Sequence, residues 1–286
     1  MHVHDDLDAL RANVFERIRT HPRWVIALSG GVDSAVLLAL AAEALGTRTL
    51  VAITGRSPAV TEGEIADAAA VAEALGVAHE IVSTNEMENP SYVANAGDRC
   101  FHCRTELFSI LTAIARDRAP ARVAYGAIVD DLGDDRPGMD AAKKFGIEAP
   151  LLDAGLSKTD VRRLASSLGL RVADKPANAC LASRIPAGTP VTAERLSQVA
   201  RAESALRSLG FRVVRVRHHG GEARIEVPPD DLARLRDLEA RGTVRAVVTD
   251  AGFAAHLLDP EGYRPAGSRS GKATLYSIAP QLDGGQ

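Results

Sequence analysis

The sequence predicts an α/β protein: a doubly wound parallel sheet followed by a smaller α+β unit. Three observations predict it. Short apolar runs alternate with helical patterns from Trp24 past Ser157, the signature of a parallel sheet with right-handed crossovers. The first run, Trp24 to Leu28, opens into Ser29-Gly30-Gly31-Val32-Asp33-Ser34 and then an Ala- and Leu-rich segment, Ala35 to Leu45. After Pro190 the alternation gives way to a long helix and paired strands.

In chain order, Leu7, Leu10, Val14 and Ile18 recur at spacings of three and four, an amphipathic helix over residues 5–20. Trp24 to Leu28 is short and partly β-branched, suiting a strand buried on both faces, and Ala35 to Leu45 suits a buried helix. Thr49 to Thr54 is a second strand, ending in the turn Gly55-Arg56-Ser57-Pro58. Thr61 and Glu64 form a capping box for a helix reaching Leu75, with Gly76 after its end, and His79 to Ser83 is a third strand. Thr84 to Asp98, with little periodicity and holding Asn, Pro and Gly, reads as a loop; a helix over Arg104 to Arg116 follows, then a strand from Val123 to Ile128. A turn at Gly133 to Gly138 precedes a short helix ending at Phe145. Ala149 to Leu152 and a helix capped by Ser157 and Asp160 complete the alternation.

Residues 174–190 carry Pro176, Pro186, Gly188 and Pro190 and read as an active-site segment and domain junction. Beyond them a helix from Thr192 to Leu209, strands Arg212 to Arg217 and Ala223 to Val227, a helix from Pro229 to Ala240, and strands Ala246 to Thr249 and Ala254 to Leu258 are expected. The domains are therefore 1–188 and 189–268, with 269–286 a Gly- and Ser-rich flexible tail.

With 286 residues, 25% of them charged, and a net charge of −3, the chain has no basic surface suited to long stretches of nucleic acid. No apolar stretch approaches a membrane span, and Met1-His2-Val3-His4-Asp5-Asp6 is unlike a signal peptide, so a cytoplasmic location is expected.

Strand, glycine-rich turn and helix is the order that phosphate sites use. Glycines let the backbone approach an anion, and the first helical turn points unpaired N–H groups and a positive dipole end at it. No Lys stands at the G-x-x-x-x-G-K-[ST] spacing, and G-x-G-x-x-G is absent. S-G-G-x-D-S fits instead the loop of enzymes that cleave ATP between its α and β phosphates. Ser29, Gly30, Gly31, Val32, Asp33 and Ser34 are then the ATP-binding residues, Asp33 an acceptor that orients Mg²⁺, and Ser57 part of a frame for the adenine. A plain strand-to-helix turn is the simpler alternative. Asp130, Asp131, Asp134 and Asp135 are a second candidate Mg²⁺ set, although such a run is usually a solvated loop.

The three cysteines form one C-x-x-C pair, Cys100-Phe101-His102-Cys103, and a lone Cys180. An odd number cannot pair fully within the chain. The pair's spacing suits a metal, a cluster or a redox couple, while buried cysteine also serves as a small hydrophobe.

Ser29 to Ser34, Arg99 to Arg104, Arg136-Pro137-Gly138, Lys175 to Gly188 and Arg215 to Gly220 together resemble the LarE family of ATP-dependent sulfur transferases, which make the nickel-pincer nucleotide cofactor of lactate racemase. The resemblance runs in register from about Asp5 to Ser268 and is most specific at Cys180-Leu181-Ala182-Ser183-Arg184. It implies that ATP adenylylates a carboxylate of pyridinium-3,5-biscarboxylic acid mononucleotide and that a sulfur nucleophile displaces AMP to give a thiocarboxylate. It implies a 4Fe-4S cluster on Cys100, Cys103 and Cys180 as sulfide carrier; in single-cysteine members the residue matching Cys180 is instead consumed and left as dehydroalanine. It makes Cys180, Asp33 and Ser34 catalytic and places Ser183, Arg184, Glu203, Arg215 and Arg217 at the substrate, the arginine pair at its phosphate. Homo-oligomers and other nickel-pincer biosynthesis proteins are the expected partners. One departure stands out: related chains read Asp-Gly-Thr-Asn where this one has Tyr125-Gly126-Ala127-Ile128, losing a polar side chain near the nucleotide.

Two other chemistries share this loop. A tRNA-thiolating enzyme would carry a basic RNA surface, and an amide-forming ligase would need no thiols.

Overall fold

The computed structural model describes residues 3–132, 137–176 and 179–263. Four parallel strands form its larger sheet: β1 (Trp24–Ala27), β2 (Leu50–Arg56), β3 (Ala78–Ser83) and β4 (Arg122–Ala124), in the order β3-β2-β1-β4. Trp24 aligns with Leu50 on one side and Arg122 on the other. Strand alternation sends Trp24, Ile26 and Leu28 to one apolar layer and Val25 to the other.

The first layer is covered by α1 (Val3–Ile18), α2 (Val32–Leu45), α3 (Glu62–Ala74) and α8 (Lys158–Ser167), and the second by α5 (Arg99–Asp117) and α6 (Pro137–Phe145). Two one-turn helices complete this unit, α4 (Pro90–Ala94), which packs on α5, and α7 (Pro150–Asp153), which packs on α1. Helix α2 is buried along most of its length, as an Ala/Leu segment without a polar stripe requires. The capping boxes read at Thr61/Glu64 and Ser157/Asp160 are both formed.

Compact packing divides the chain into one unit of Met1–Cys180 with Ala187–Thr192 and another of Leu181–Pro186 with Ala193–Gln286. In the second, α9 (Ala193–Ser208) and α11 (Thr243–Asp250) pack together, as do α10 (Leu232–Ala240) and α11. Its sheet is β5 (Arg215–His219), β6 (Glu222–Glu226) and β7 (Ala255–Leu258), antiparallel then parallel.

Several elements differ from expectation. Ala246 to Thr249 lies inside helix α11: Val244 and Val248, four apart, are the buried residues, so a helical period beat the β-branched composition. Ala149 to Leu152 belongs to α7, opened by Pro150, and the chain touches the sheet only through an Ala124–Glu148 bridge. Strand β4 ends at Ala124, and β5 begins at Arg215 and runs to His219. Helix α5 begins at Arg99, so Cys100 and Cys103 lie on its opening turn. Thr84 to Asp98 holds a 3₁₀ turn at Glu86–Glu88 and then α4, whose Asn89 side chain accepts from Ser91 N at 2.9 Å. Gly133, Asp134, Asp135, Arg136, Ala177, Asn178 and the tail from 264 lie outside the described residues. No described helix is long and apolar enough to cross a membrane.

From β1 the chain moves outward through β2 and β3 and returns to β4 on β1's other flank, so the loop after β1 stands at the sheet's topological switch point. There Gly126 packs against the start of α2: a Cβ on it would lie 2.7 Å from Ser34 N and 2.8 Å from the Asp33 carbonyl carbon. Both are backbone atoms of a buried helix and cannot yield cheaply. Gly126→Ala is expected to lower stability by about 1–3 kcal/mol, read as a lower urea midpoint at unchanged slope; an unchanged midpoint would show that α2 shifts freely.

Candidate functional site

The loop after β1 is built to leave its N–H groups open. Gly31 is the N-cap of α2 in extended conformation and supplies no side-chain cap, so the first-turn amides and the positive end of the helix dipole face outward. Gly30 has φ +71° and its Cα sits against α3; a Cβ would be 2.5 Å from Glu64 O. Ser34 Oγ donates to Gly31 O at 3.1 Å, accepts from Ser29 N at 3.2 Å and lies 3.1 Å from Ser29 Oγ. The two serines thus tie the ends of the loop together. Ser57 is half-buried, and its Oγ accepts from Ala59 N at 3.2 Å, shaping the turn after β2.

Two lysines, neither assigned a role from sequence, hold this loop. Lys158, the first residue of α8, donates to Asp33 Oδ1 at 2.8 Å and Oδ2 at 2.7 Å. Its own N–H donates to Asp130 Oδ2 at 2.8 Å. Lys175 donates to Gly30 O at 2.8 Å and to Asp67 Oδ2 at 2.5 Å. Arg162 fixes the backbone of that segment, donating to Ala173 O at 2.7 Å and Lys175 O at 3.0 Å. The backbone at Ala173 and Lys175 is therefore tied to the phosphate loop. The second acidic set is committed to backbone as well: Asp131 Oδ2 accepts from Ile128 N at 3.1 Å, and Asp134 and Asp135 lie outside the described residues. Ala127 and Ile128 are buried in the two apolar layers, while Tyr125 carries the Arg104 guanidinium 5.4 Å above its ring.

Cys100 is exposed, Cys103 and Cys180 are half-buried, and none of the three is in a disulfide. They share one neighbourhood: burial pushes the Cys103 thiol well above its ordinary range, and the negative charges of Glu86, Cys180 and Cys100 push it further, with Arg104 opposing. No three His, Cys, Asp or Glu side chains among the described residues are arranged to hold a metal ion.

The second unit gathers a different set. Glu203, fully buried on α9, accepts from Arg184 Nε at 2.8 Å, Arg207 at 2.6 Å and Val216 N at 3.1 Å. It is a hub that orients Arg184, whose Nη1 also donates to Ser183 Oγ at 2.7 Å. Arg215, on β5, is buried and stacks 5.2 Å over the Tyr263 ring. Burial first, and then the neighbouring Arg184, lower its pKa, while Glu203 opposes. Two guanidinium groups that repel one another in a buried setting are relieved by an anion. Arg217 donates to Glu226 Oε1 at 2.5 Å and to Ser183 O at 3.4 Å.

The chain is similar to known proteins over most of its length. An uncharacterised protein of Synechocystis is 43% identical over 85% of this chain and 90% of its own. The pyridinium-3,5-bisthiocarboxylic acid mononucleotide synthase of Lactiplantibacillus plantarum is 35% identical over 89% of this chain and 91% of its own. A tRNA-specific 2-thiouridylase of Rickettsia felis is 30% identical over 53% of this chain and 51% of its own. The NAD synthase family model matches residues 3–127.

Two outcomes test this geometry. Lys175→Ala, which frees Gly30 O and Asp67, is expected to weaken binding of a non-hydrolysable ATP analogue about tenfold in calorimetry; unchanged affinity would reduce the latch to packing. Glu203→Ala leaves Arg184 buried without its carboxylate and is expected to cost about 3–5 kcal/mol in denaturant unfolding of the second unit.

Proposed function

The chain belongs to the LarE family of ATP-using, sulfur-transferring enzymes, and we propose that it adenylylates a carboxylate of pyridinium-3,5-biscarboxylic acid mononucleotide and converts it to a thiocarboxylate for the nickel-pincer cofactor of lactate racemase. The observation that carries this reading is the 35% identity to the Lactiplantibacillus synthase over 91% of that protein. The tRNA thiouridylase relative covers only half of each chain, and the net charge of −3 offers little to RNA.

In this reading the amides of Val32, Asp33 and Ser34 receive the ATP phosphates at the α2 terminus. The substrate carboxylate attacks the α-phosphorus, and the α–β bridging bond breaks with pyrophosphate leaving. Mg²⁺ would offset phosphate charge, and Asp33 is the loop carboxylate that would orient it. Lys158, paired with Asp33 in the free protein, supplies a second positive charge to that step. A sulfur nucleophile then attacks the acyl carbon and AMP departs with both electrons of the C–O bond. Arg184, Arg215 and Arg217 hold the substrate phosphate; bidentate guanidinium groups suit it, and the mutual repulsion of Arg184 and Arg215 supports an anion there. Ser183 and Glu203 keep Arg184 aimed.

Cys100, Cys103 and Cys180 are the residues that would hold a 4Fe-4S cluster: three thiolates would leave one iron without a protein ligand, although the thiols are not arranged as a metal site among the described residues. Such a cluster would supply an exchangeable sulfide. In this reading the enzyme works in the cytoplasm, as a homo-oligomer alongside other nickel-pincer biosynthesis proteins.

With MgATP and the dicarboxylate nucleotide, anaerobically prepared protein is expected to release pyrophosphate and form thiocarboxylate. Cys180→Ala should keep the first activity and lose the second, by mass spectrometry of the product. Thiocarboxylate from the variant would overturn the role of Cys180, and dehydroalanine at 180 in the wild type after one turnover would establish the sacrificial route instead.

A further inference from the structure

Strand β2 carries a polar side chain into an apolar layer. Leu50, Ala52 and Thr54 alternate along the strand and share a face, and the first two belong to the layer that α2 helps to build. Thr54 is buried like them, 3% exposed. Valine has nearly the same shape and suits a strand at least as well, whereas a buried hydroxyl is tolerated only where it is hydrogen-bonded. The Thr54 hydroxyl is bonded on two sides. It donates to Leu28 O at 2.7 Å and lies 2.8 Å from His79 Nε2.

Chemistry sets the direction of both bonds. A carbonyl oxygen only accepts, so the one hydroxyl proton goes to Leu28, and the Thr54 oxygen accepts from His79. His79, half-buried on β3, therefore carries a proton on Nε2. Burial lowers its pKa and favours the neutral ring, for which this bond selects the Nε2–H tautomer. Ring, hydroxyl and carbonyl thus donate one to the next across β3, β2 and β1, and the relay ends on the residue that joins β1 to the phosphate loop.

What the relay grips there is one peptide plane. The Leu28 N–H is still on the sheet ladder, donating to Ile53 O at 2.8 Å. In the next peptide, between Leu28 and Ser29, side chains take over: Thr54 holds the carbonyl, and the Ser29 N–H donates to Ser34 Oγ at 3.2 Å. A planar peptide turns only about the single bonds that flank it, and a hydroxyl at each end stops that rotation. Ser29 is placed as a result, with its Oγ 3.1 Å from Ser34 Oγ and accepting from Gly31 N at 3.4 Å. Rotating the plane would pull Ser29 and both glycines away from the start of α2.

We infer that Thr54 and His79 are positioning residues for ATP, holding the Leu28–Ser29 peptide so that Ser29, Gly30 and Gly31 stand ready for the phosphates. Their role rests on the reading that this loop receives ATP, and it adds the two side chains that set the loop's first peptide. Both act through the loop, and no covalent bond to either forms.

The test is calorimetric binding of a non-hydrolysable ATP analogue with Mg²⁺ to the full chain, with melting temperatures alongside. Thr54→Val keeps the shape, loses the hydroxyl and is expected to bind about tenfold more weakly, as loss of one hydrogen bond implies. Thr54→Ser restores the hydroxyl and should recover most of that affinity. His79→Leu should weaken binding less than Thr54→Val, because Thr54 still donates to Leu28, and His79→Gln, with an amide donor, should bind more tightly than His79→Leu. A Thr54→Val protein that melts earlier yet binds like wild type would overturn the inference, making the relay a support of the sheet alone. Thr54→Ser binding as weakly as Thr54→Val would overturn it too, since the methyl group would then be what counts. Nitrogen NMR of histidine-labelled wild type decides even where Thr54→Val fails to fold. The His79 ring, identified by its loss in His79→Gln, is expected as the neutral Nε2–H tautomer, and an Nδ1–H tautomer would reverse the relay and overturn the inference. Wild type that does not bind the analogue would overturn the ATP reading of the loop, and this role with it.

Discussion

The site depends on one constraint: the N-terminus of a buried helix must meet the carboxyl ends of β1 and β4 with nothing between them. Helix α2 is buried along most of Val32 to Ala41, so its N-terminal half is held by packing. Its first turn presents unpaired backbone N–H groups that can reach a ligand. Two missing side chains make the arrangement feasible. Gly126 lets the segment after β4 lie on the helix backbone, and Gly30 lets the loop lie on α3. Stiffness is what gives the amides their value, because N–H groups already aimed at phosphate need no reorganisation when it arrives.

Charge is arranged around that rigid point in matched pairs. Asp33 is held by Lys158, and Lys175 joins Gly30 to Asp67. These pairs are partly exposed and contribute little to stability by themselves. Their use is positional: Lys158 fixes Asp33, and Lys175 fixes Gly30 against Asp67. The Arg184–Glu203 pair is the opposite case, fully buried and committed to one geometry.

What the sequence made legible follows from the range of each interaction. Ser29 to Ser34 could be read because strand, turn and helix are contiguous, and the capping boxes because their partners are three residues apart. Lys158 could not, since its partner lies 125 positions away and a lysine at a helix start looks like a solvated one. Helix α5 was placed late because its opening turn, Arg-Cys-Phe-His-Cys-Arg, lacks the apolar period that marks the rest. Helix α11 was misread because β-branched composition outweighed the four-residue spacing of Val244 and Val248.

The thiol pocket carries its own physical logic. A half-buried thiol next to a buried carboxylate and two other sulfurs resists ionisation, so Cys103 stays protonated at neutral pH in the metal-free protein. That protects it from adventitious oxidation, which needs the thiolate. Metal ligation requires the thiolate, and a cation is what repays its formation. Burial and the neighbouring negative charges therefore hold the Cys103 proton on, and only compensating positive charge would favour the thiolate.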